Sequence, residues 1–192
     1  MKRLNPQNVN TGPLYDAMYQ SYRRDEMRAV VPLQVLLPGM IRNSDTVLDV
    51  GCGYGQYHKY LKRAQLVIGV DFAAATTAEA AKCGYNNVLT ADFAEHLPFP
   101  EQQFTVVFCS EVLEHMDNPQ RLLEECFRVL TASGLLILTT PYRDSINIVE
   151  HVWAYEESDL RSMLSLFSQI AIFRYSVHPD DLYEHFCVLA RK

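Results

Sequence analysis

Short apolar runs alternate with amphipathic stretches along most of this chain. Val47, Leu48 and Val50 form one such run, which is typical of a strand buried on both faces of a sheet. Similar runs predict strands at 47–50, 66–70, 87–90, 104–109 and 135–139, and apolar residues at helical spacing predict helices near 56–63, 73–82, 119–130 and 160–167. Because strands alternate with helices, we expect a parallel sheet with right-handed crossovers.

The end of the chain departs from this alternation. Two apolar runs, 168–177 and 183–190, are separated only by the segment His178-Pro179-Asp180-Asp181. Such a gap is too short for a parallel crossover, so the two runs must pair as an antiparallel hairpin. The pattern therefore predicts an α/β fold whose parallel sheet ends in an antiparallel edge.

Residues 1–43 lie outside the repeating pattern, and we interpret them as an N-terminal helical lid or cap. The segment starts with polar residues, which predict a loosely ordered start, and apolar residues at helical spacing follow at 14–22 and 27–37. Pro38 is expected to end the second helix. Residues 44–192 contain all the predicted strands, and both parts are expected to belong to one structural domain.

Composition narrows the function classes. The chain has 192 residues and a formal net charge of -6, which argues against nucleic acid as a partner. Its five cysteines are scattered without a CxxC pair, which favours reduced thiols in the cytoplasm over a disulfide framework or a zinc site. We find no secretory leader and no apolar run of membrane-spanning length, so no membrane association is expected. Oligomeric state is not predicted.

A glycine-rich loop gives the first chemical signal. Gly51, Gly53 and Gly55 directly follow the strand at 47–50, and a helical pattern follows them. This arrangement lets backbone approach a nucleotide-like ligand without Cβ atoms in the way. Asp71 ends the next strand, about twenty residues further on, where ribose hydroxyls are usually bound.

These segments, taken together and in order, resemble the class I methyltransferases that use S-adenosylmethionine, most closely the small single-domain kind that acts on small molecules. The resemblance extends from about residue 43 to the end and is carried by residues 47–55, 69–71, 91–93, 97–99, 104–107, 111–115 and 119–130. One departure is Leu135, which stands where a second glycine is common after Ser133 and Gly134.

The resemblance implies the fold and the cofactor. It implies a Rossmann-like seven-stranded sheet, mostly parallel with an antiparallel final strand and helices on both faces, in a domain that binds S-adenosylmethionine. The N–H groups of Gly51, Gly53 and Gly55 are expected to face the anionic methionine end of the cofactor. Asp49 is expected to orient its amino group, directly or through water, and Asp71 to accept from both ribose hydroxyls.

The adenine and sulfonium ends of the cofactor are assigned in the same way. Asp92 is expected to accept from the adenine amino group, while the rings of Phe72 and Phe93 cover the purine. Ser110 and Glu111 are expected to lie near the sulfonium. The complete predicted cofactor set is Asp49, Gly51, Cys52, Gly53, Gly55, Asp71, Phe72, Asp92, Phe93, Ser110 and Glu111.

Methyl transfer from a sulfonium needs alignment above all, and it needs a base only if the acceptor must lose a proton. We predict His115 or His151 as that base, with Glu111 as the carboxylate alternative. The predicted substrate-binding residues are Tyr15, Tyr19, Tyr142 and Trp153, with residues 141–155 as a lid. The methyl acceptor is expected to be a small molecule, and the residues do not distinguish an oxygen, nitrogen or carbon acceptor.

Other interpretations of the same residues remain open. A nicotinamide-dependent oxidoreductase would share the glycine loop, but its fingerprint places glycine where this chain has Gln56. A non-catalytic subunit that binds the cofactor and serves a partner is a second alternative. Singly, Asp71 could cap a helix, Glu114 could be a solvated helix charge, and His185 is assigned no role.

Overall fold

A seven-stranded sheet forms the centre of the computed structural model, which describes residues 1–4, 17, 31–142, 150–176 and 184–192. The strands are β1 Lys2–Arg3, β2 Thr46–Val50, β3 Leu66–Asp71, β4 Asn87–Thr90, β5 Phe104–Ser110, β6 Leu130–Pro141, β7 Trp153–Ala154, β8 Ser168–Ser176 and β9 Glu184–Arg191. The α-helices are α1 Val31–Met40, α2 His58–Leu61, α3 Ala74–Ala80, α4 Pro119–Val129 and α5 Glu157–Met163, and single 3-10 turns lie at Ala81–Cys83 and Leu113–His115.

The order of strands across the sheet is β4-β3-β2-β5-β6-β9-β8. Strands β2 to β6 pair in parallel, whereas β9 is antiparallel to both β6 and β8. The predicted fold, a mostly parallel seven-stranded sheet with an antiparallel final strand, is confirmed. Within the described ranges, no helix is long and apolar enough to span a membrane.

Two apolar layers cover the faces of the sheet, because successive strand residues point to opposite sides. Leu48 of β2 belongs to the layer under α4 and α5, where Leu122 is fully buried. Its neighbour Val47 belongs to the opposite layer, under α1 and α2, with Leu37 and Leu61. Full burial of one such side chain contributes about 1.5–3 kcal/mol, so the two layers fix the register of every strand.

Helix α1 differs from its prediction because it continues through Pro38. The residues that share its buried face, Leu33, Leu37 and Ile41, lie on both sides of the proline. The N–H of Ile41 donates to the carbonyl of Leu37 at 3.0 Å, so helical bonding continues beyond the missing donor. Packing on the sheet therefore outweighs the local penalty of the proline.

The start of the chain also differs from its prediction. Strand β1 pairs antiparallel with β7, and the Leu4 N–H donates to the Val152 carbonyl at 2.8 Å. The Arg3 guanidinium lies 5.6 Å from the centre of the Trp153 ring, which is a cation–π distance. Residues 2–4 are thus paired rather than loosely ordered, and two-residue strands carry no periodicity by which sequence could reveal them.

A buried carboxylate on α4 holds the segment between β4 and β5. Glu125 is only 1% exposed, and its Oε2 accepts from the Leu97 N–H at 3.0 Å and from Arg128 Nη2 at 2.7 Å. Arg128 also donates to the carbonyl oxygens of Leu97 and Phe99. One charge pair therefore joins the helix to the loop and satisfies three buried backbone groups.

We predict that Glu125→Ala lowers the free energy of unfolding by about 3 kcal/mol, because it removes the carboxylate partner of the Arg128 charge and the acceptor of the Leu97 N–H. Urea unfolding measures the loss. Glu124→Ala is the matched control, since the Glu124 side chain is 41% exposed and pairs with Arg121 at the helix surface; it should change stability by less than about 0.5 kcal/mol. Equal losses for both variants would show that the buried pair does not hold the loop.

Candidate cofactor and methyl-acceptor site

The predicted site residues meet where the strand order reverses. From β2 the chain moves through β3 to β4 on one side of the sheet, and β5 then lies on the other side of β2. In open α/β sheets, ligands bind in the crevice at the carboxyl ends of the strands at such a switch point. The glycine loop follows β2 at this crevice, and Ser110 ends β5 beside it.

The glycine loop has a backbone that side chains would disturb. Gly51, Gly53 and Gly55 have φ angles of +69°, +50° and +78°, in the left-handed region that favours glycine. A Cβ atom on Gly51 would lie 2.3 Å from Cγ2 of Val112, which follows β5. Gly51 therefore lets the loop after β2 approach the loop after β5.

The N–H groups of these glycines are already bonded within the protein. Gly51 donates to a β3 carbonyl at 2.8 Å, Gly55 donates to the Cys52 carbonyl at 2.8 Å, and Gly53 donates to Oδ2 of Asp71 at 2.9 Å. The expectation that all three N–H groups face the methionine carboxylate of the cofactor is therefore corrected. These glycines shape the loop, and the amides of Gly51 and Gly53 hold it against β3.

Asp71 is buried, and both of its carboxylate oxygens accept internal bonds. Oδ2 accepts from Gly53, and Oδ1 accepts from the Ala73 N–H at 3.0 Å. Asp71 is not the N-cap of α3, because Ala73 occupies that position without a side-chain cap. Oδ1 also accepts from the Thr76 hydroxyl at 3.5 Å, whereas Oδ2 keeps a second lone pair for a further donor, so the predicted ribose contact is compatible with this geometry.

The Asp49 carboxylate is buried and is hydrogen-bonded inside the protein. It is 2% exposed, and the Tyr85 hydroxyl donates to its Oδ2 at 2.5 Å. The pKa of Asp49 is raised to about 7. Burial is the main cause and the nearby Asp71 adds to it, while the Tyr85 bond acts in the opposite direction. A carboxyl with this pKa changes charge near neutral pH, which makes the loop sensitive to a cation such as an amino group.

Four other predicted cofactor residues differ in exposure. The side chain of Cys52 is buried, and Gly69 is needed beside it because a Cβ there would lie 2.9 Å from the Cys52 Sγ. The Phe93 ring is 1% exposed and packs edge-on against Phe72 at 5.9 Å, so Phe72 is the ring of the pair nearer the surface. Asp92 is exposed, and its Oδ1 accepts from the Ala94 N–H at 2.9 Å.

The end of β5 positions the predicted sulfonium neighbours. Ser110 Oγ lies 2.8 Å from Thr139 Oγ1, which fixes it to β6. Glu111 has a φ of +56°, which turns the chain sharply after the strand, and its N–H donates to the Thr139 carbonyl. Its Oε2 lies 3.0 Å from Nδ1 of His185, whereas its Oε1 is buried without a hydrogen-bond partner among the described residues.

The predicted bases, His115 and His151, lie together. Their ring centres are 4.9 Å apart at an interplanar angle of 75°. Burial lowers the pKa of His115, and burial together with the neighbouring His115 lowers the pKa of His151 to about 4. Both imidazoles are thus neutral at pH 7, and His151 is a weak base there.

Glu114 completes this group, although the sequence suggested a solvated charge. It is 1% exposed, and burial together with the nearby Glu111 raises its pKa. Its Oε2 accepts from Thr140 Oγ1 at 3.0 Å, while its Oε1 lies 3.6 Å from Nε2 of His115. Glu114 lies on the 3-10 turn at Leu113–His115, and two carbonyls of this turn accept hydrogen bonds from residues 150–155.

The described part of the predicted lid is fixed in place. The Val152 N–H donates to the Glu114 carbonyl at 2.8 Å, and the Tyr155 hydroxyl donates to the Leu113 carbonyl at 3.0 Å. Trp153 donates its indole N–H to the Met116 carbonyl at 2.9 Å. Residues 150–155 therefore form a wall that places His151, not a lid.

The predicted substrate-binding residues have different outcomes. Tyr142 directly follows β6, packs edge-on against Phe186 and lies under the Arg174 guanidinium. Trp153 faces the start of the chain, under Arg3. Tyr15 and Tyr19 lie outside the described residues, so their role remains a prediction.

Sequence reasoning did not identify Tyr85, Glu114 or His185 as site residues. His185 is 9% exposed, bonds Glu111, and stacks on Tyr175 with ring centres 5.5 Å apart. Alternation along β9 could have shown that its side chain shares a face with buried residues, but pairing with Glu111 depends on the strand order. No local signal reveals the Tyr85–Asp49 bond either.

Comparison with known proteins agrees with this geometry. Residues 48–138 match a family model described as a methyltransferase domain. A ubiquinone biosynthesis O-methyltransferase from Pseudomonas fluorescens (strain SBW25) is 33% identical over an alignment of 107 residues. The alignment covers 51% of this chain and 45% of that protein. The chain thus matches less than half the length of that relative.

Solved structures share the fold at low identity. A methyltransferase from Thermotoga maritima, described as a possible histamine N-methyltransferase, has a TM-score of 0.75 and 18% identity, with 94% of this chain and 99% of that chain covered. The [4+2]-cyclase SpnF has a TM-score of 0.76 and 19% identity, with 96% of this chain and 97% of that chain covered. At these identities the likeness shows the fold alone.

The raised pKa of Asp49 gives a pH prediction. Because the folded pKa, about 7, exceeds the value of 3.8 for an unperturbed carboxyl, the folded protein binds more protons between these values and loses stability as pH rises from about 4 to 7. The Asp49→Asn variant has no carboxyl to titrate at this position. Between pH 4 and pH 8 its unfolding free energy should therefore fall by up to about 4 kcal/mol less than that of the unsubstituted protein. Urea unfolding of the ligand-free protein at several pH values measures it.

The control is Asp117→Asn, because the Asp117 side chain is 66% exposed. Its unfolding free energy should differ from that of the unsubstituted protein by a constant amount across the pH range. An Asp49→Asn curve that runs parallel to that of the unsubstituted protein would show that Asp49 keeps an ordinary pKa.

Proposed function

Because the match over residues 48–138 places the chain among the class I S-adenosylmethionine-dependent methyltransferases, we propose that it transfers the methyl group of S-adenosylmethionine to an oxygen atom of a small molecule. One observation carries the proposal. Three adjacent parallel strands, β2, β3 and β4, end at one edge, where the glycine loop, Asp71 and Asp92 follow them. These groups match the methionine, ribose and adenine parts of the cofactor in that order.

The cofactor would lie across these strand ends, with its sulfonium toward β5. Asp71 would bind the ribose hydroxyls with its remaining lone pairs, and Asp49 would interact with the amino group as that group adds a positive charge. Phe72 would cover the purine, since Phe93 is held in the core beside it. Ser110 and Glu111 would then lie at the methyl group.

The acceptor is proposed from the relative with an identity above 30%. That protein is described as a ubiquinone biosynthesis O-methyltransferase, which directs the choice of acceptor to hydroxyl groups on small molecules. The acceptor would lie beside Glu111, His115 and His151, which we retain as the predicted catalytic residues. The acidic chain, with a net charge of -6, supports a small molecule over nucleic acid. All five cysteines are free, which supports the predicted cytoplasmic location.

Methyl transfer itself asks little acid–base chemistry of the protein. The donor is already activated, so the crevice has to align the acceptor oxygen with the S–CH3 bond and exclude water. A hydroxyl acceptor must also lose a proton. Glu111, with His185 bonded to one of its oxygens, lies closest in sequence to the end of β5 and can accept that proton.

The experiment that tests this function uses S-adenosylmethionine with a labelled methyl group. Purified protein is incubated with it and a metabolite extract, and then with a panel of phenols, and products are identified by mass. We expect binding of S-adenosylmethionine, no measurable binding of NAD, and a new methylated product. Binding of NAD without binding of S-adenosylmethionine would favour the oxidoreductase alternative. Cofactor binding without turnover in either assay would favour the non-catalytic subunit.

We predict that Asp71→Ala raises the dissociation constant for S-adenosylhomocysteine by about thirtyfold to nearly a thousandfold, because it removes charge-assisted bonds to the ribose. Titration calorimetry measures the constant, and thermal unfolding shows whether the loop remains folded. Asp117→Ala, at an exposed aspartate, is the control and should leave the constant unchanged. An unchanged constant in a folded Asp71→Ala protein would place the ribose elsewhere.

A further inference from the structure

Three side chains beside the β5 edge have the composition of a metal site. One ligand atom each from Glu114, His115 and His151 lies within 4.8 Å of the other two. Oε1 of Glu114 and Nε2 of His115 are 3.6 Å apart. That distance is too long for a hydrogen bond, but ligands about 2.1 Å from one tetrahedral ion stand about 3.4 Å apart.

The carboxylate of Glu114 points into this group without satisfying its own bonding capacity. The side chain is 1% exposed, and its Oε1 accepts no hydrogen bond among the described residues. A buried carboxylate oxygen without a donor is destabilising, and Glu111 adds a second carboxylate whose Oε1 is also buried with no hydrogen-bond partner in the described part of the chain. A cation between the oxygen of Glu114 and the two imidazoles would remove this deficit.

Bonds outside the group hold the ligand atoms in orientation. Nδ1 of His115 lies 3.0 Å from the Glu150 carbonyl oxygen, which favours a proton on Nδ1 and directs the Nε2 lone pair at Glu114. Thr140 donates to the other oxygen of Glu114 at 3.0 Å. The Val152 N–H donates to the Glu114 carbonyl, which fixes His151 on the adjoining wall. Such supporting bonds are typical of metal ligands.

We propose that Glu114, His115 and His151 bind one divalent metal cation at the methyl-acceptor side of the crevice. Two imidazole nitrogens and one carboxylate oxygen suit Zn²⁺ or Mn²⁺ and leave a coordination position for water or substrate. Binding would draw the three ligand atoms together by roughly 1 Å. Glu111 lies next to the site and adds negative charge that attracts the cation.

A bound metal would also take part in the proposed methyl transfer, and this step rests on the proposed function. A hydroxyl oxygen of the acceptor bound at the open position would lose its proton to Glu111 more readily. The new O–CH3 bond then forms as the S–CH3 bond breaks, and the sulfonium leaves as the neutral thioether S-adenosylhomocysteine. In this step the two histidines would act through the metal, as its ligands.

The test titrates tag-free, EDTA-treated protein with ZnCl2 and, separately, with MnCl2 in a non-chelating buffer. Calorimetry measures stoichiometry and affinity, and thermal unfolding measures stabilisation by each ion. We expect one ion per chain for at least one of the two metals, bound with or without S-adenosylhomocysteine. Glu114→Gln and His151→Ala should each weaken this binding by at least about tenfold.

Two comparisons make the result decisive. His96→Ala removes an exposed histidine outside the site and should bind the metal like the unsubstituted protein. Glu114→Gln preserves shape and removes a buried charge, so it should remain folded even if His151→Ala does not. No ion bound by the unsubstituted protein, or equal binding by the unsubstituted protein and a folded Glu114→Gln variant, would overturn the proposal.

The result is independent of the proposed function. Metal binding without S-adenosylmethionine binding would overturn the methyltransferase proposal and leave the metal site. Binding of S-adenosylmethionine and methyl transfer that persists in EDTA, with no metal bound, would overturn the metal site alone. Methyl transfer that EDTA abolishes and the metal restores would support both.

Discussion

The bond between the Gly53 N–H and the Asp71 carboxylate is the constraint on which the cofactor crevice depends. It joins the loop after β2 to the end of β3, and the Ala73 N–H on the same carboxylate sets the start of the following helix. The positive φ of Gly53 makes this contact possible, because a side chain would strain the backbone there. The same carboxylate is therefore proposed both to support the loop and to bind the ribose.

The crevice contrasts with the apolar layers that hold the sheet. Those layers place fully buried side chains such as Leu48 and Val47 on opposite faces, and they fix the strand ends within a rigid frame. At the ends of β2 and β5 the frame buries carboxylates instead, at Asp49 and Glu114. Burial raises the pKa of each, so both carboxylates lie at higher free energy than they would in water. A positively charged ligand at either place would recover that free energy.

The two buried carboxylates are proposed to serve different ligands. Asp49 shares its charge with the Tyr85 hydroxyl on the cofactor side, where the amino group of S-adenosylmethionine would add a positive charge. Glu114 lies on the acceptor side, beside two neutral imidazoles, where a divalent cation would be the counter-charge. The fold is shared with proteins of other chemistry, such as the [4+2]-cyclase SpnF, so these site groups rather than the sheet decide the reaction.

Short-range pattern in the sequence determined the strands, the glycine loop and the antiparallel hairpin, because each depends on residues that are neighbours along the chain. Tertiary structure alone decided the partners of the site residues. The Tyr85–Asp49 bond joins residues 36 apart and the His185–Glu111 bond joins residues 74 apart, so neither leaves a local signal. Burial of Glu114 and the passage of α1 through Pro38 were decided in the same way, since the free energy of packing against distant strands outweighs local preference.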